Sequence, residues 1–305
     1  MRTLEGQHIL VTGGSGFIGR AVVAALGAAG AEVSVTDRIP FPDPDIPTVT
    51  GDLCDPAVRD AAVTKDLAGV IHLAAATSVL GSLADPAGVH AINVEATAGL
   101  LDLARRRDVP RFLFASTNAV TGDVGTATIT EDLPPRPLTP YGATKAASEM
   151  LLSGYAGGYG MTTCSLRLTN VYGQGMELKD SLVPRLVRAA MNGTTIEIYG
   201  DGLQRRDLVH INDVVSGLLL AWAAGVTGPL IIGSGASVTV LDIVAAAREV
   251  TGVDIPVRHV PPKAGEMPAV IASIDRARAL GYRPTVTLTE GIATVWEDLR
   301  AGSAR

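Results

Sequence analysis

Several residue types are scarce in this sequence, and each scarcity argues against a class of function. Aromatic side chains make up only 4% of the 305 residues, which argues against a stacking platform for single-stranded nucleic acid. Two cysteines, Cys54 and Cys164, do not make a disulfide framework or a zinc site. The formal net charge is −6 and no Lys/Arg-rich block occurs, so nucleic acid and anionic membranes are not expected as partners.

Long apolar runs are also lacking. None approaches the roughly 20 residues that span a bilayer, and the N-terminal sequence MRTLEGQHILV has no charged-then-apolar leader. No metal site is expected, because His210 and Asp213 in HINDV are interpreted as a strand end and a helix cap. These features predict a cytoplasmic protein.

What is present is an alternation of short β-rich runs with Ala/Leu-rich helical stretches. The predicted strands are apolar through most of their length: 8–12, 32–37, 48–52, 70–75, 111–116 and 162–168. The alternation predicts an α/β fold with a doubly wound parallel (Rossmann) sheet. We expect a nucleotide-binding domain over 1–169, completed by elements within 206–233, and a smaller, interleaved C-terminal substrate lobe over 170–305.

A glycine-rich turn joins the first predicted strand to the first predicted helix. Gly13, Gly16 and Gly19 allow a tight turn and a close approach to a pyrophosphate, which would sit on the N–H groups that open the helix. A plain tight turn is the alternative, but the strand before it and the helix after it favour a dinucleotide site.

Acidic residues follow the second and third predicted strands. Asp37 lies where a carboxylate accepts bonds from an adenosine ribose and repels a 2′-phosphate, which favours NAD over NADP, although Arg38 is adjacent. Asp52 is a candidate for contact with the adenine amino group. Its alternative role is to cap a turn.

The segment PYGATK places Tyr141 and Lys145 one helical turn apart, after the strand that leads into Thr117. Lysine is used only four times, at 65, 145, 179 and 263, while arginine supplies the other basic residues. The ends of parallel strands meet at the ligand crevice of such a sheet. We therefore predict that Tyr141 shuttles a proton and that Lys145, together with a positively charged nicotinamide ring, lowers its pKa. A surface pair is the alternative.

Taken in order, the motifs resemble those of the extended short-chain dehydrogenase/reductases, and more closely the NAD-dependent nucleotide-sugar epimerases and dehydratases. They are the glycine turn, GDL, HLAA, ST before VTG, YGATK, LRLTNVYG and YGDGLQRRDLVHINDV, and they cover nearly the whole chain. The resemblance implies Thr117, Tyr141 and Lys145 as the catalytic set. It also implies that NAD stays bound while it takes a hydride and returns it.

Further contacts follow from the resemblance. The cofactor contacts would add these positions of the glycine turn, GDL and HLAA: Phe17, Ile18, Leu53, Leu73, Ala74 and Ala75. The substrate, a nucleotide-diphosphate sugar, would meet these: Ser78, Ser82, Thr117, Asn118, Asn170, Arg206 and Lys263. For Arg206 the alternative is pairing with Asp201 and Asp207. Helices 86–107 and 140–157 match those that pair in homodimers of the family.

Three departures from the family pattern bear on the reaction. Dehydratases have an Asp-Glu pair after the catalytic Thr, whereas this chain has Asn118-Ala119 and so loses the acid and base of elimination. Thr121 replaces a Tyr, and Lys263 stands in KAGE where the family often has an Arg in RPGD. We expect an epimerase most like the UDP-hexose 4-epimerases. The alternatives are a same-family reductase, dehydrogenase or dehydratase, and a non-catalytic NAD-binding regulatory protein.

Overall fold

The computed structural model describes residues 4–262 and 267–303, which form two compact units. The first contains the residues up to Gly122, Glu131–Leu168 and Gly217–Leu230. The second contains Asp123–Thr130, Thr169–Ser216 and the residues from Ile231 onward. The chain therefore passes between the units more than once.

The strands are numbered along the chain. They are β1 (His8–Thr12), β2 (Glu32–Asp37), β3 (Thr48–Thr50), β4 (Leu67–His72), β5 (Arg111–Thr117), β6 (Thr128–Ile129), β7 (Thr162–Leu168), β8 (Asn170–Tyr172), β9 (Ile196–Tyr199), β10 (Arg205–His210), β11 (Gly228–Ile232), β12 (Ser237–Thr239), β13 (Val257–Val260) and β14 (Ile271–Ala272).

The helices are numbered in the same way. They are α1 (Phe17–Ala28), α2 (Pro56–Ala62), α3 (Val79–Ala84), α4 (Pro86–His90), α5 (Ala96–Arg106), α6 (Pro140–Tyr159), α7 (Leu182–Asn192), α8 (Ile211–Ala224), α9 (Val240–Thr251), α10 (Asp275–Ala279) and α11 (Leu288–Ser303).

A seven-stranded sheet has the order β11-β7-β5-β4-β1-β2-β3. The neighbours from β7 to β3 pair in parallel. The order turns back between β1 and β4, which is the switch point where such sheets bind ligands beyond the carboxyl ends of their strands. The predicted doubly wound parallel sheet is confirmed.

Three predicted strands, 8–12, 32–37 and 162–168, coincide with β1, β2 and β7, but other strand ends were predicted wrongly. β3 stops at Thr50, because Asp52 folds the chain into a turn by accepting a hydrogen bond from Cys54 N at 2.8 Å. β4 begins earlier, at Leu67, and ends at His72, so residues 73–75 lie beyond it. β5 extends one residue further, to Thr117.

The predicted helix 86–107 is not continuous. A π-helical turn, Ala91–Glu95, separates α4 from α5. Single π turns inside helices are uncommon and often occur at functional sites. The apolar spacing of the sequence predicts helix on both sides of this turn but does not reveal it.

The core of the first unit lies between the sheet and its helices. Leu10, Val70, Phe112 and Phe114 from the strands pack with residues of α5 and α6 that include Leu100. This packing fixes the carboxyl ends of β1, β4 and β5 beside one another.

The second unit contains smaller sheets. β8, β10 and β12 form one with the order β12-β10-β8, and β13 with β9 and β14 with β6 form two-stranded parallel pairs. Its helices α7, α9 and α11 pack against one another. At its centre the fully buried Asp207 accepts hydrogen bonds from Thr169 Oγ1, Ser234 N and Gly235 N.

Among the helices of the described residues, not one combines the length and hydropathy that a membrane crossing requires. The same residues contain no group of three or more His, Cys, Asp and Glu side chains suited to hold a metal ion.

Candidate active site

The glycine turn after β1 is tightly packed at most positions. Gly13 has a left-handed backbone (φ +71°), and a Cβ atom on it would lie 2.6 Å from the nitrogen of Ala74. A Cβ on Gly19 would lie 2.1 Å from Gly13 O. At Gly16 the nearest atom is Gly13 O at 3.2 Å. Gly13 and Gly19 are therefore required by the turn itself, whereas Gly16 is exposed and a Cβ on it would make one close contact.

The N-terminus of α1 has the character of an anion site. Gly16 is its N-cap, so no side chain satisfies the first N–H groups, and the first turn has no acidic residue. These donors belong to Phe17, Ile18 and Gly19 and carry the positive end of the helix dipole. A pyrophosphate is the group that such an exposed, uncapped turn accommodates, so the residues fit a dinucleotide.

Asp37 lies beside this turn at the end of β2. Its carboxylate accepts bonds from Ser15 N at 3.0 Å and from Arg38 N at 2.7 Å. The bond to Ser15 orients Asp37 against the turn. The hydrogen bond from Cys54 N lowers the pKa of Asp52, and the charge of Arg38 lowers it further.

Leu53 and the residues after β4 complete the predicted cofactor contacts. The Leu53 side chain is buried in the hydrophobic core, so only its backbone is available to a ligand. Leu73 N donates to Thr12 O at 3.0 Å, and Ala74 N donates to the Thr12 hydroxyl at 3.3 Å. Ala75 is half-buried. This segment is thus tied to the end of β1, next to the glycine turn.

His72, the last residue of β4, is buried. Its Nδ1 lies 2.6 Å from Thr12 Oγ1 and its Nε2 lies 2.9 Å from Thr97 Oγ1. Burial lowers the pKa of His72 to about 3, and the nearby charge of Lys145 acts in the same direction. His72 is therefore a neutral packing residue.

The predicted catalytic residues lie in one unit, at the ends of neighbouring elements. Thr117 is the last residue of β5, and Tyr141 and Lys145 lie in the first turns of α6. The helix begins where Thr139 Oγ1 accepts a bond from Gly142 N at 3.2 Å. This cap sets where Tyr141 stands relative to the strand ends.

The Tyr141 side chain is half-buried. Burial raises the pKa of its phenol, and a side-chain hydrogen bond with Thr117 acts in the opposite direction. In the chain alone burial outweighs the neighbouring groups, so the pKa of Tyr141 is raised. The predicted decrease would require the positive charge of a bound nicotinamide ring.

Lys145 is only 2% exposed, so it is not a surface residue. Its Nζ donates to Ala115 O at 2.8 Å and lies 4.4 Å from the centre of the Phe114 ring. Burial lowers the pKa of Lys145 to about 7, and the charge of Glu149 acts in the opposite direction. Its protonation therefore changes near neutral pH.

A buried ion pair next to Lys145 was not predicted from the sequence. Arg167 on β7 and Glu149 on α6 form a salt bridge at 2.8 Å, and both side chains are at most 4% exposed. Ser116 Oγ also donates to Glu149. The available signal was an Arg inside the apolar run TTCSLRL and a Glu one turn after Lys145.

Asn93, in the π-helical turn, was also missed. Its side chain accepts a bond from Ala76 N at 2.8 Å and donates to Ala76 O at 3.0 Å and to Thr144 Oγ1 at 3.1 Å. It thereby connects the segment after β4 to α6 beside Lys145. A lone Asn inside a helical pattern carries no sequence signal for this role.

Three of the predicted substrate contacts lie in the first unit besides Thr117. Ser78 is exposed and caps α3, whereas Ser82 is buried and donates to Val79 O at 2.6 Å. Asn118 follows Thr117 and is 7% exposed. The hydroxyl of Ser82 thus already has an internal acceptor.

The remaining predicted substrate contacts belong to the second unit. Asn170 is exposed, and its Nδ2 donates to Asp207 O at 3.0 Å. Arg206 is half-buried, and its Nη1 donates to Arg205 O at 2.8 Å and to Met267 O at 3.0 Å. Lys263 lies outside the described residues.

Comparison with known proteins shows extended similarity. Residues 9–233 match the model of the NAD-dependent epimerase/dehydratase family. A dTDP-glucose 4,6-dehydratase from Streptomyces griseus is 33% identical over 304 residues, covering 94% of this chain and 92% of that protein. A UDP-glucose 4-epimerase from Corynebacterium glutamicum is 31% identical over 314 residues, covering 96% of this chain and 94% of that protein.

Solved structures resemble the fold closely. The UDP-glucose 4-epimerase of Thermus thermophilus, crystallised in complex with NAD, matches with a TM-score of 0.91 and 32% identity. The match covers 96% of this chain and 99% of that one.

Proposed function

Because the chain belongs to the NAD-dependent epimerase/dehydratase family, we propose that it is a nucleotide-sugar 4-epimerase, most like the UDP-hexose 4-epimerases. The observation that carries this proposal is the grouping of Thr117, Tyr141 and buried Lys145 at the end of β5 and the start of α6. The next two residues, Asn118 and Ala119, have no acid or base with which to assist elimination.

In the proposed reaction, Tyr141 accepts the proton of the C4 hydroxyl while the C4 hydride leaves the sugar, which gives a 4-ketone. Thr117 holds the sugar oxygen through its hydroxyl. The ketone then presents its other face, the hydride returns to C4, and Tyr141 gives the proton back, so protons and electrons balance. NAD, when bound, supplies the acceptor and then the donor of this hydride.

Lys145 would act on Tyr141 by its charge. An ammonium one helical turn away favours the phenolate over the neutral phenol. Since burial alone raises the pKa of Tyr141, the base requires such an opposing charge to work near neutral pH.

For the cofactor, the proposed contacts are the open surface at Gly16, the N–H groups that begin α1, and the Asp37 carboxylate. Asp37 is oriented by Ser15 N, and its charge would repel a 2′-phosphate. NAD(H) should therefore bind at least about tenfold more tightly than NADP(H), a difference of ~1.4 kcal/mol. Equal affinities in calorimetric titrations would overturn this assignment.

For the substrate, we propose that Asn170 and Arg206 contact the pyrophosphate of a nucleotide-diphosphate sugar, with Lys263 as a further cation. Ser78, Ser82 and Asn118 are proposed near the sugar. All belong to the set implied by family resemblance. The proposed substrate lobe is 170–305.

Two alternatives are disfavoured for specific reasons. A dehydratase would need an acid and a base after Thr117, and this chain has Asn118-Ala119. A non-catalytic binding protein has no need of Tyr141 and a buried Lys145 together. A reductase or dehydrogenase would use the same residues, and only the fate of the hydride distinguishes it.

We propose a cytoplasmic homodimer that pairs through its helices, including α6. The exposed residues of this helix form its outer face, which contains no charge: Ala143, Ala147, Met150, Ser153, Gly154, Gly157, Gly158 and Tyr159. A Cβ atom on Gly154, Gly157 or Gly158 would meet nothing within 4 Å. Glycine inside a helix costs about 1 kcal/mol relative to alanine, so these glycines fit close approach of another helix.

Replacing Tyr141 by Phe tests the proposed function. The variant loses only the oxygen that handles the proton, so turnover on the accepted substrate should fall by a factor on the order of 10² to 10⁴. Folding and NAD binding should change little. Tyr155→Phe, on the same helix, is the matched control and should keep full activity. The assay is interconversion of UDP-, TDP- and GDP-hexoses, and full activity of Tyr141→Phe on any of them would refute the proposal.

A further inference from the structure

The charges of α6 lie inside the protein. This 20-residue helix has two charged side chains, Lys145 and Glu149, and both are at most 5% exposed. With Tyr141 they occupy successive turns of one helical face, since positions four apart are neighbours on a helix. The arrangement is unusual because exposed helix faces normally carry the charges.

Glu149 is held rigidly. Its two carboxylate oxygens face Arg167, whose Nη2 lies 2.8 Å from Oε2 and whose Nε lies 3.1 Å from Oε1. Ser116 Oγ donates to the same carboxylate. Because Ser116 is on β5 and Arg167 on β7, the carboxylate is fixed against two strands, one helical turn from Lys145 along α6.

The groups that β4, β5 and β7 place around Lys145 are uncharged or paired. From β4 the nearby titratable group is His72, which burial keeps neutral, and from β5 there are the Ala115 carbonyl and the Phe114 ring. β7 contributes Cys164, whose pKa burial raises to about 12, and Arg167, which is paired. On α6 itself Tyr141 is a neutral phenol, and Glu149 is the anion whose charge acts on Lys145.

We propose that Glu149 is a positioning residue that raises the share of Lys145 in its charged ammonium form at neutral pH, with Arg167 and Ser116 holding the carboxylate in place.

The sign of the effect follows from the charges. Burial lowers the pKa of Lys145 and so favours its neutral form, whereas the charge of the Glu149 carboxylate raises that pKa. Without Glu149, Lys145 would lose its proton at lower pH and be uncharged at neutral pH. That Lys145 then assists Tyr141 rests on the proposed function.

The scarcity of lysine makes a direct measurement possible. Protein labelled with ¹³C at the lysine Cε carbons gives NMR signals from four lysines: Lys65, Lys145, Lys179 and Lys263. Lys145→Met identifies the signal of Lys145. Its titration is then followed in the protein as purified, in wild type and in Glu149→Gln.

We expect the midpoint for Lys145 to move to lower pH by about one unit or more in Glu149→Gln, while the other lysines keep theirs. Ser148→Ala is the matched control. It removes a buried hydroxyl that donates to Asn93 O and Thr144 O on the same helix but changes no charge, so its midpoint should match wild type.

If Glu149→Gln does not fold because Arg167 is left buried and unpaired, the double variant Glu149→Leu/Arg167→Met replaces the pair by apolar side chains. It should also shift the Lys145 midpoint downward, but by less than Glu149→Gln does, because a buried cation is removed together with the anion. An unchanged Lys145 midpoint in whichever of these variants folds would overturn the proposal.

Turnover measured on the same samples separates this inference from the proposed function. A shifted midpoint with unchanged neutral-pH turnover would support the role of Glu149 and contradict that of Lys145 in catalysis. A shifted midpoint with turnover that falls at neutral pH supports both.

Discussion

At the scale of single residues, Lys145 combines a charge with nearly complete burial. Its Nζ donates to the Ala115 carbonyl and lies over the face of Phe114. Such a site costs stability whenever the amine is protonated, because few groups replace the lost water. Groups held in this way are frequent where their chemistry is needed.

Lys145→Met should therefore raise stability at neutral pH. The pKa of Lys145 is about 7 in the folded chain, below the ordinary value of about 10.4 for the unfolded chain. Between these values the unfolded chain binds the additional proton, so wild-type stability falls as pH decreases from 10.4 towards 7. The variant lacks this penalty and should gain a few kcal/mol near pH 7.

Urea unfolding of both proteins between about pH 7 and pH 10 measures this difference, which should shrink as pH rises. If the unfolding free energies of wild type and Lys145→Met changed with pH in parallel, or if the variant were less stable than wild type at neutral pH, burial of the amine would not be costly. Turnover of Lys145→Met should be reduced and should recover partly at high pH, where a phenolate forms without the ammonium.

At the scale of elements, the turn between β1 and α1 contains two kinds of glycine. Gly13 and Gly19 are needed for the turn to fold, whereas Gly16 lies on the surface proposed to bind the pyrophosphate. Gly16→Ala adds a methyl group that meets only Gly13 O, at 3.2 Å, on the proposed pyrophosphate surface. We expect a small loss of thermal stability, because Gly13 O must move slightly, and NAD affinity reduced by about tenfold or more.

Gly27→Ala, in α1, is the matched control, because its Cβ would meet nothing within 4 Å. It should bind NAD normally and be slightly more stable, since alanine is the better helix former. Calorimetry and thermal melts of the two variants decide the point. Normal NAD affinity in Gly16→Ala would remove the turn from the proposed site.

Local patterns predicted some elements well and others poorly, for physical reasons. β1, β2 and β7 are short β-rich runs, and their limits were predicted correctly. The predicted end of β3 was wrong because the Asp52 side chain accepts a hydrogen bond from Cys54 N, which folds the chain into a turn instead of extending the strand. The break at Ala91–Glu95 was missed because its cause, Asn93 bonding to Ala76 and Thr144, is a contact between distant segments.

The same distinction applies to the candidate site. That Tyr141 and Lys145 are neighbours follows from helical periodicity alone. That Lys145 is buried, that burial raises the pKa of Tyr141, and that Glu149 pairs with Arg167 depend on how α6 packs on β5 and β7. The predictions of the family, the parallel sheet and the NAD cofactor are confirmed. They depended on the order of motifs and on the alternation of strands and helices, which can be read from the sequence without knowledge of packing.

At the scale of the whole molecule, the uncharged outer face of α6 predicts self-association. Ala147→Glu places a charge in the middle of this face and should convert a dimer to a species near the chain mass of 31.4 kDa. Ala24→Glu, at an exposed position of α1, makes the same substitution elsewhere and should leave the dimer intact. Light scattering at micromolar concentration measures both, and a monomeric wild type would refute the prediction.

The central claim is that a hydride leaves C4 of a nucleotide sugar and returns to the same carbon. UDP-glucose deuterated at C4, and its TDP and GDP counterparts, are incubated with the protein as purified, and the products are examined by NMR and mass spectrometry. We predict that one of them is converted to its C4 epimer with deuterium retained at C4 and no reduced cofactor accumulating. Loss of the deuterium to a reduced cofactor pool, a 4-keto-6-deoxy product, or no interconversion of any of the three would contradict the account.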